Sequence, residues 1–260
     1  MNNKFQKLQN TIENLGKQGI CLAFSGGIDS TLLLYLCRDK NLHAVTFSSI
    51  FQPEEETALT KQLCKRYNIK HKILELNPLD DESIKNNPKD RCYHCKKMFL
   101  EKIKAYAAAN NLENIFDGTN YDDLKEYRPG LKALKELNII SPFAEHKITK
   151  AEIRLYAKEC GINIFDKPST PCLATRFPYG TLLEASKIKQ VKTGENILKN
   201  NGFLQNRLRM HGDVARIEIE KDKFAELLKN SDKITQELKS AGFHYLTLDL
   251  EGFRSGSMDR

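Results

Sequence analysis

The run ICLAFSGGIDSTLLLYL at 20–36 decides the architecture. Ile20 to Phe24 is a short apolar segment that breaks at Ser25-Gly26-Gly27. It gives way to Thr31-Leu32-Leu33-Leu34-Tyr35-Leu36, a helix apolar on every side and therefore one that must be buried. Two glycines let backbone approach a ligand closely, Ser25 and Asp29 are positioned to cap the helix, and the N–H groups of its first turn face an anion. A strand, a glycine-rich loop and a helix start in that order describe a phosphate cradle. The loop lacks both the G-x-x-x-x-G-K-S/T and the G-x-G-x-x-G patterns, so the two commonest nucleotide-loop readings have no fingerprint here.

Working outward, strand-like runs recur at 43–48, 71–76, 114–117 and 138–143, separated by helical stretches at 54–67, 96–110 and 149–160. Strands alternating with helices of this length imply an α/β fold with a parallel sheet covered on both faces and ligands at the carboxyl ends of the strands. Asp117-Gly118-Thr119-Asn120 follows one such strand, with Asp122, Asp123 and Arg128 beyond it. In this sheet it faces the same crevice as the loop, although taken alone it reads equally well as a turn.

The segment FDKPSTPCLATRFPYG at 165–180 carries three prolines in sixteen residues, too many for a regular element. The expected division is a nucleotide-binding domain over 1–165, a linker over 166–182 carrying Cys172, and a smaller α+β domain over 183–260. That last part reads as a helix at 184–200, two strands joined at His211-Gly212-Asp213, a helical stretch at 221–240 and a strand at 243–250. A period of two puts Leu208, Met210, Ala215, Ile217 and Ile219 on buried faces, and Arg207, Arg209 and Arg216 on the opposite ones. Paired guanidinium groups suit a phosphate or carboxylate, and a solvated strand face is the alternative.

With 40% hydrophobic and 29% charged residues, the 260-residue chain can bury a core. It has no apolar run of membrane-spanning length, and its start lacks the apolar core of a secretory signal, so a cytoplasmic protein with no membrane partner is expected. A net charge of +7, spread along the chain, fits an anionic small molecule as well as nucleic acid and does not choose between them. A strong basic stripe with interleaved aromatics, which would favour nucleic acid, is missing.

Seven cysteines in a reducing compartment argue against a disulfide framework. Cys21, Cys37, Cys64 and Cys160 sit in apolar or helical patterns, as small core residues do. Cys92-Tyr93-His94-Cys95 could be half a zinc site, a redox pair or an iron–sulfur ligand pair, and Cys172 stands apart in the proline-rich segment. Three such thiols fit a [4Fe–4S] cluster with one open iron better than a closed four-ligand zinc. His94 keeps a Cys₃His zinc site open, and Arg176 near Cys172 keeps a nucleophilic thiolate open.

The S-G-G-x-D-S string resembles the PP-loop ATP pyrophosphatases, which cleave ATP between its α- and β-phosphates and adenylate an acid, carbonyl or base. Further blocks are similar to the LarE family of sulfur transferases: SGGIDST at 25–31, KKMF at 96–99, RPGLKA at 128–133, TRFPYG at 175–180 where the family has SRFPYG, DVARIE at 213–218 and YLTLDLEGFRSGSM at 245–258. This resemblance implies ATP-dependent sulfur insertion into pyridinium-3,5-biscarboxylic acid mononucleotide, for nickel-pincer cofactor biosynthesis, by a closed homo-oligomer. Ser25, Gly26, Gly27, Asp29, Ser30 and Thr31 would then bind ATP with Mg²⁺, assisted by Gly118 and Arg128. Arg176, Arg207, Arg209 and Arg254, with the adjoining Ser255-Gly256, would bind the substrate. Glu195, Glu218 and Glu226 fall at acidic positions near substrate or a divalent metal, and Cys172 at the sulfur-bearing cysteine. Some members sacrifice that cysteine, and others use a cluster. The presence of Cys92 and Cys95 favours the cluster here, with Cys172 as third ligand. A tRNA thiolation enzyme, an amidating enzyme and a nucleotide sensor are the competing expectations.

Overall fold

The computed structural model describes residues 3–162 and 171–254. Two compact units divide the chain: 1–49, 53–77 and 90–170 form the first, and 50–52, 78–89 and 171–260 the second. The expected positions Ser255 and Gly256, and the 163–170 part of the proline-rich segment, lie outside the described residues.

The first unit begins with α1 (Asn3–Gly16), whose Phe5, Leu8 and Ile12 recur at helical spacing and are buried. There follow β1 (Ile20–Ala23), α2 (Ile28–Leu36), β2 (Leu42–Ser48), α3 (Glu54–Arg66) and β3 (Lys70–Glu75). After α4 (Glu82–Lys85), which belongs to the second unit, come α5 (Arg91–Ala109), β4 (Asn114–Phe116), α6 (Gly130–Glu136), α7 (Pro142–Glu145) and α8 (Lys150–Glu159). The four strands are all parallel in the order β3-β2-β1-β4. Both faces of the sheet are covered. Ile20 and Leu22 enter one core cluster with α1, α2 and α8, while Cys21 between them enters a second with α5 and α6. Because the chain steps from β1 through β2 to β3 on one side and then returns to place β4 on the other, the strand order reverses at β1 and opens a crevice at its carboxyl end.

The fifth strand expected at 138–143 shrinks to a single bridge from Ile140 to Phe116. Asn138 holds a left-handed φ of 56°, and Pro142 starts α7, so the chain can stay extended for only a few residues. Helix α5 starts five residues earlier than expected and takes Cys92 and Cys95 into its first turns.

In the second unit, α9 (Ala185–Asn200) packs on the sheet β5 (Asn206–His211), β6 (Val214–Ile219) and β7 (Tyr245–Leu248). β5 and β6 form a hairpin through Gly212, whose φ of 62° the turn requires. The expected helix at 221–240 breaks at Asn230 into α10 (Phe224–Lys229) and α11 (Ser231–Ser240). β7 then pairs parallel to β6. Arg207 and Arg209 are only 6% and 4% exposed, so the alternative of a solvated strand face does not hold for them. Among the described residues no helix is long and apolar enough to cross a membrane.

Candidate functional site

The loop after β1 is shaped by close contacts. Gly26 has φ +73°, and a Cβ there would meet Thr60 Cγ2 at 2.9 Å. Ser30 Oγ donates to the Gly27 carbonyl at 3.1 Å and lies 3.1 Å from Ser25 Oγ, which ties the two ends of the loop together. No side chain caps α2. Gly27 occupies the cap position, in place of the expected Ser25 or Asp29, so the first-turn N–H groups have no side-chain acceptor. Such an end attracts phosphate through its free donors and the helix dipole. Thr31, expected at the nucleotide, is fully buried with its hydroxyl unpaired.

The segment after β4 forms the opposite wall. Gly118 sits directly on the loop, since a Cβ there would fall 2.9 Å from Ser30 N and 3.2 Å from Ser30 Cα. The Asp and Asn residues around it knit the turn. Asp117 accepts from Thr119 N and Oγ1, Asn120 Oδ1 accepts from Asp122 N and Asp123 N, and Asp123 Oδ2 accepts from Asn120 N. Arg128 clamps this wall from outside, 2.8 Å from Asp123 Oδ1 and 2.9 Å from Glu126.

Three side chains that the sequence reading passed over complete the crevice. Lys150, at the start of α8, places Nζ 2.6 Å from Asp29 Oδ2. Burial pushes the Asp29 carboxyl above its usual range, and Lys150 opposes that rise. Asp29 Oδ1 is buried and makes no hydrogen bond. An orphaned carboxylate oxygen beside a helix N-terminus, with Asp123 close enough to act on it electrostatically, fits a Mg²⁺ carried in by a polyphosphate. Lys96 of α5 reaches Asp117 Oδ2 at 2.9 Å, and Ser141 Oγ donates to Asp117 Oδ1 at 2.6 Å. The Thr149–Glu152 capping box that opens α8 is a local signal by which Lys150 could have been found.

Comparison with known proteins agrees with this geometry. Residues 1–121 match the family described as NAD synthase. A pyridinium-3,5-bisthiocarboxylic acid mononucleotide synthase of Lactiplantibacillus plantarum is 38% identical over 246 residues, covering 93% of this chain and 89% of that protein. This chain belongs to that family, LarE. The uncharacterized protein MJ0830 of Methanocaldococcus jannaschii is 38% identical over 97% of the chain and 98% of its own length. Among solved structures, an NMN synthetase of Francisella tularensis shares the fold, with a TM-score of 0.53 at 17% identity over 65% of this chain and 76% of that one.

In this LarE-family chain, the second unit holds the arginines and Cys172. Arg176 is locked to Glu195 by Nε–Oε1 at 2.6 Å and Nη2–Oε2 at 3.2 Å. Arg209 Nε donates to Glu218 Oε1 at 2.5 Å, and Arg216 Nη2 reaches the same oxygen at 3.1 Å. Arg207 is different. It donates to the Arg254 carbonyl at 3.0 Å and stacks on Phe253, with no carboxylate in salt-bridge contact among the described residues. Burial together with Arg176 and Arg209 lowers its pKa against the opposing pull of Glu218 and Glu195. A buried guanidinium that no carboxylate contacts directly, with two further arginines acting on it, is a candidate site for an anion. Arg254, also expected at substrate, pairs with Glu251 at 2.6 Å. Arg207→Met should therefore raise the KM for an anionic substrate about 10- to 100-fold, the loss of one or two charge-assisted bonds, with the KM for ATP unchanged. An unchanged substrate KM in steady-state assays would exclude it as the anion ligand.

The carboxylates expected beside a metal are spent elsewhere. Glu195 and Glu218 neutralise arginines, and Glu226 pairs at the surface with Lys223 at 2.9 Å. Among the described residues no group of three or more His, Cys, Asp or Glu side chains converges on a cation position.

All seven cysteines are thiols. Burial pushes Cys21 and Cys64 up to about 12 and raises Cys37 further. Cys92 is exposed, and Cys95, one turn along the same helix, is partly so. At pH 8, iodoacetamide should label Cys92 in the native protein and reach Cys21, Cys37 and Cys64 only after denaturation, because the protonated thiol is not nucleophilic. Peptide mapping decides it. The unfolded chain releases these protons from the ordinary value of 9.0 upward while the fold retains them, so their linkage lowers stability as pH rises from 9.0 towards about 12.

Proposed function

We propose that this chain is an ATP-dependent sulfurtransferase that adenylates a carboxylate of pyridinium-3,5-biscarboxylic acid mononucleotide and replaces a carboxylate oxygen with sulfur. The observation that carries this reading is the near-full-length match to a bisthiocarboxylic acid mononucleotide synthase, and the loop geometry supports an ATP-dependent first step. The loop backbone and the N-terminus of α2 would hold the β- and γ-phosphates, and Asp29 Oδ1 would meet a Mg²⁺ that offsets their charge. A substrate carboxylate oxygen attacks the α-phosphorus and pyrophosphate leaves. AMP is then the leaving group when sulfur attacks the acyl carbon. Arg207 would hold the substrate's 5′-phosphate.

Cys92, Cys95 and Cys172 are the thiols that would ligate a [4Fe–4S] cluster. Their soft donor set suits iron, and Cys92 and Cys95 share one helix face. When bound, such a cluster supplies a site from which sulfide is delivered. A second reading is sacrifice of the Cys172 sulfur itself, which the resemblance also allows.

Incubating the reduced protein anaerobically with ATP, Mg²⁺ and the biscarboxylated mononucleotide should release AMP and pyrophosphate and exchange oxygen for sulfur on the substrate. No AMP release and no substrate mass gain would reject the assignment. Iron and sulfide bound to the purified protein, and lost in Cys92→Ala and Cys172→Ala, would support the cluster. An iron-free enzyme whose Cys172 peptide loses the elements of H₂S on turnover would support sacrifice.

A further inference from the structure

The turn carrying Cys172 is fastened at its peptide. The Cys172 carbonyl accepts two hydrogen bonds from one residue, Thr175: its N–H at 3.0 Å and its Oγ1 at 2.7 Å. The next N–H, of Leu173, donates to the Phe51 carbonyl at 2.9 Å, so both sides of the 172–173 peptide are held. Thr175 in turn is gripped twice by the buried arginines. Arg176 Nη1 donates to Thr175 Oγ1 at 2.9 Å, and Arg209 Nη1 donates to the Thr175 carbonyl at 2.7 Å. These guanidinium groups are immobilised by Glu195 and Glu218, and both arginines are 4% exposed. The hydroxyl of Thr175 both donates to the Cys172 peptide and accepts from this lattice.

We propose that Thr175 is the positioning residue of the sulfur-transfer step: it makes the turn bearing Cys172 and the arginine lattice around Arg207 one rigid piece. This rests on the sulfurtransferase reading. Thr175 touches no reacting atom. Its hydroxyl fixes the direction in which the Cys172 side chain leaves the backbone, whether that sulfur is transferred or ligates iron. The network belongs to the second unit and the loop at 25–30 to the first, so adenylation is expected to proceed without it.

Thr175→Val keeps the shape, removes the hydroxyl, and leaves an arginine N–H and a carbonyl short of one partner each. Thr175→Ser keeps the hydroxyl. With the full chain, the Val variant should form thiocarboxylate about 10- to 100-fold more slowly, the scale of a misplaced reacting group. Its substrate KM and its substrate-dependent pyrophosphate–ATP exchange should stay within about twofold of wild type, and Ser should restore transfer. A structural role alone would depress exchange and transfer together and raise KM, and that outcome overturns the proposal. Wild-type transfer by the Val variant, or failure of Ser to restore it, also overturns it. If the wild type transfers no sulfur, the sulfurtransferase reading fails by itself. The positioning role is then judged by carboxymethylation of Cys172 with iodoacetamide, whose rate should change by more than about threefold in Val and remain at the wild-type value in Ser. Equal rates in all three proteins overturn it.

Discussion

Gly118→Ala lowers pyrophosphate–ATP exchange about a hundredfold, the penalty for displacing a catalytic loop by roughly an ångström. The reason is local. Gly118 holds no left-handed φ, so alanine meets no backbone objection at that position. The objection comes from the neighbour: the new methyl falls 2.9 Å from Ser30 N and 3.2 Å from Ser30 Cα. These are backbone atoms in the first turn of α2, and they cannot swing aside as the end of a flexible side chain would. Relief requires the wall after β4 and the helix start to part, which opens the phosphate cradle. The KM for ATP should rise, while circular dichroism shows the fold retained. Wild-type exchange in this variant would mean that the two walls do not build one nucleotide site.

Glu218→Ala destabilises the second unit by about 3–5 kcal/mol, as breaking a buried ion pair from one side does. Glu218 has no exposed surface, and its Oε1 accepts from Arg209 and Arg216, which face each other across the β5–β6 ladder. Removing the carboxylate leaves Arg207 and Arg209 buried as like charges, with only Arg216 partly in solvent. Glu218→Gln keeps an acceptor without the charge and should fall between Ala and wild type. Urea unfolding monitored by a probe in the second unit reads the loss. A change below about 1 kcal/mol, the worth of a surface pair, would mean that the arginines are neutralised in some other way.

The strand–loop–helix at 20–36 was legible because its signal is short-ranged. Apolar strand, glycines and buried helix are neighbours in sequence, and their periods do not depend on distant partners. The burial of Leu208, Met210, Ala215, Ile217 and Ile219 followed from a period of two in the same way, and Cys21, Cys37 and Cys64 from their apolar surroundings. The extent of α5 and the broken helix at Asn230 were misjudged at their ends, where caps and single-residue conformations decide.

By itself the sequence determined a parallel α/β unit with a phosphate loop, a smaller unit with a basic strand, and membership of one family, since each of these is written in contiguous residues. Only the tertiary structure decided that Lys150 meets Asp29 across 121 positions, that Gly118 rests on Ser30, and that Arg207 bonds a backbone carbonyl where Arg176 and Arg209 bond carboxylates. It also drew 50–52 and 78–89 into the second unit, where Leu183 N bonds the Lys85 carbonyl and Asn87 Nδ2 bonds those of Phe177 and Pro178. Charge compensation and close packing are properties of groups brought together by folding. An arginine reads the same in sequence whether it faces water, a glutamate or a substrate phosphate, and burial beside a particular partner makes the difference.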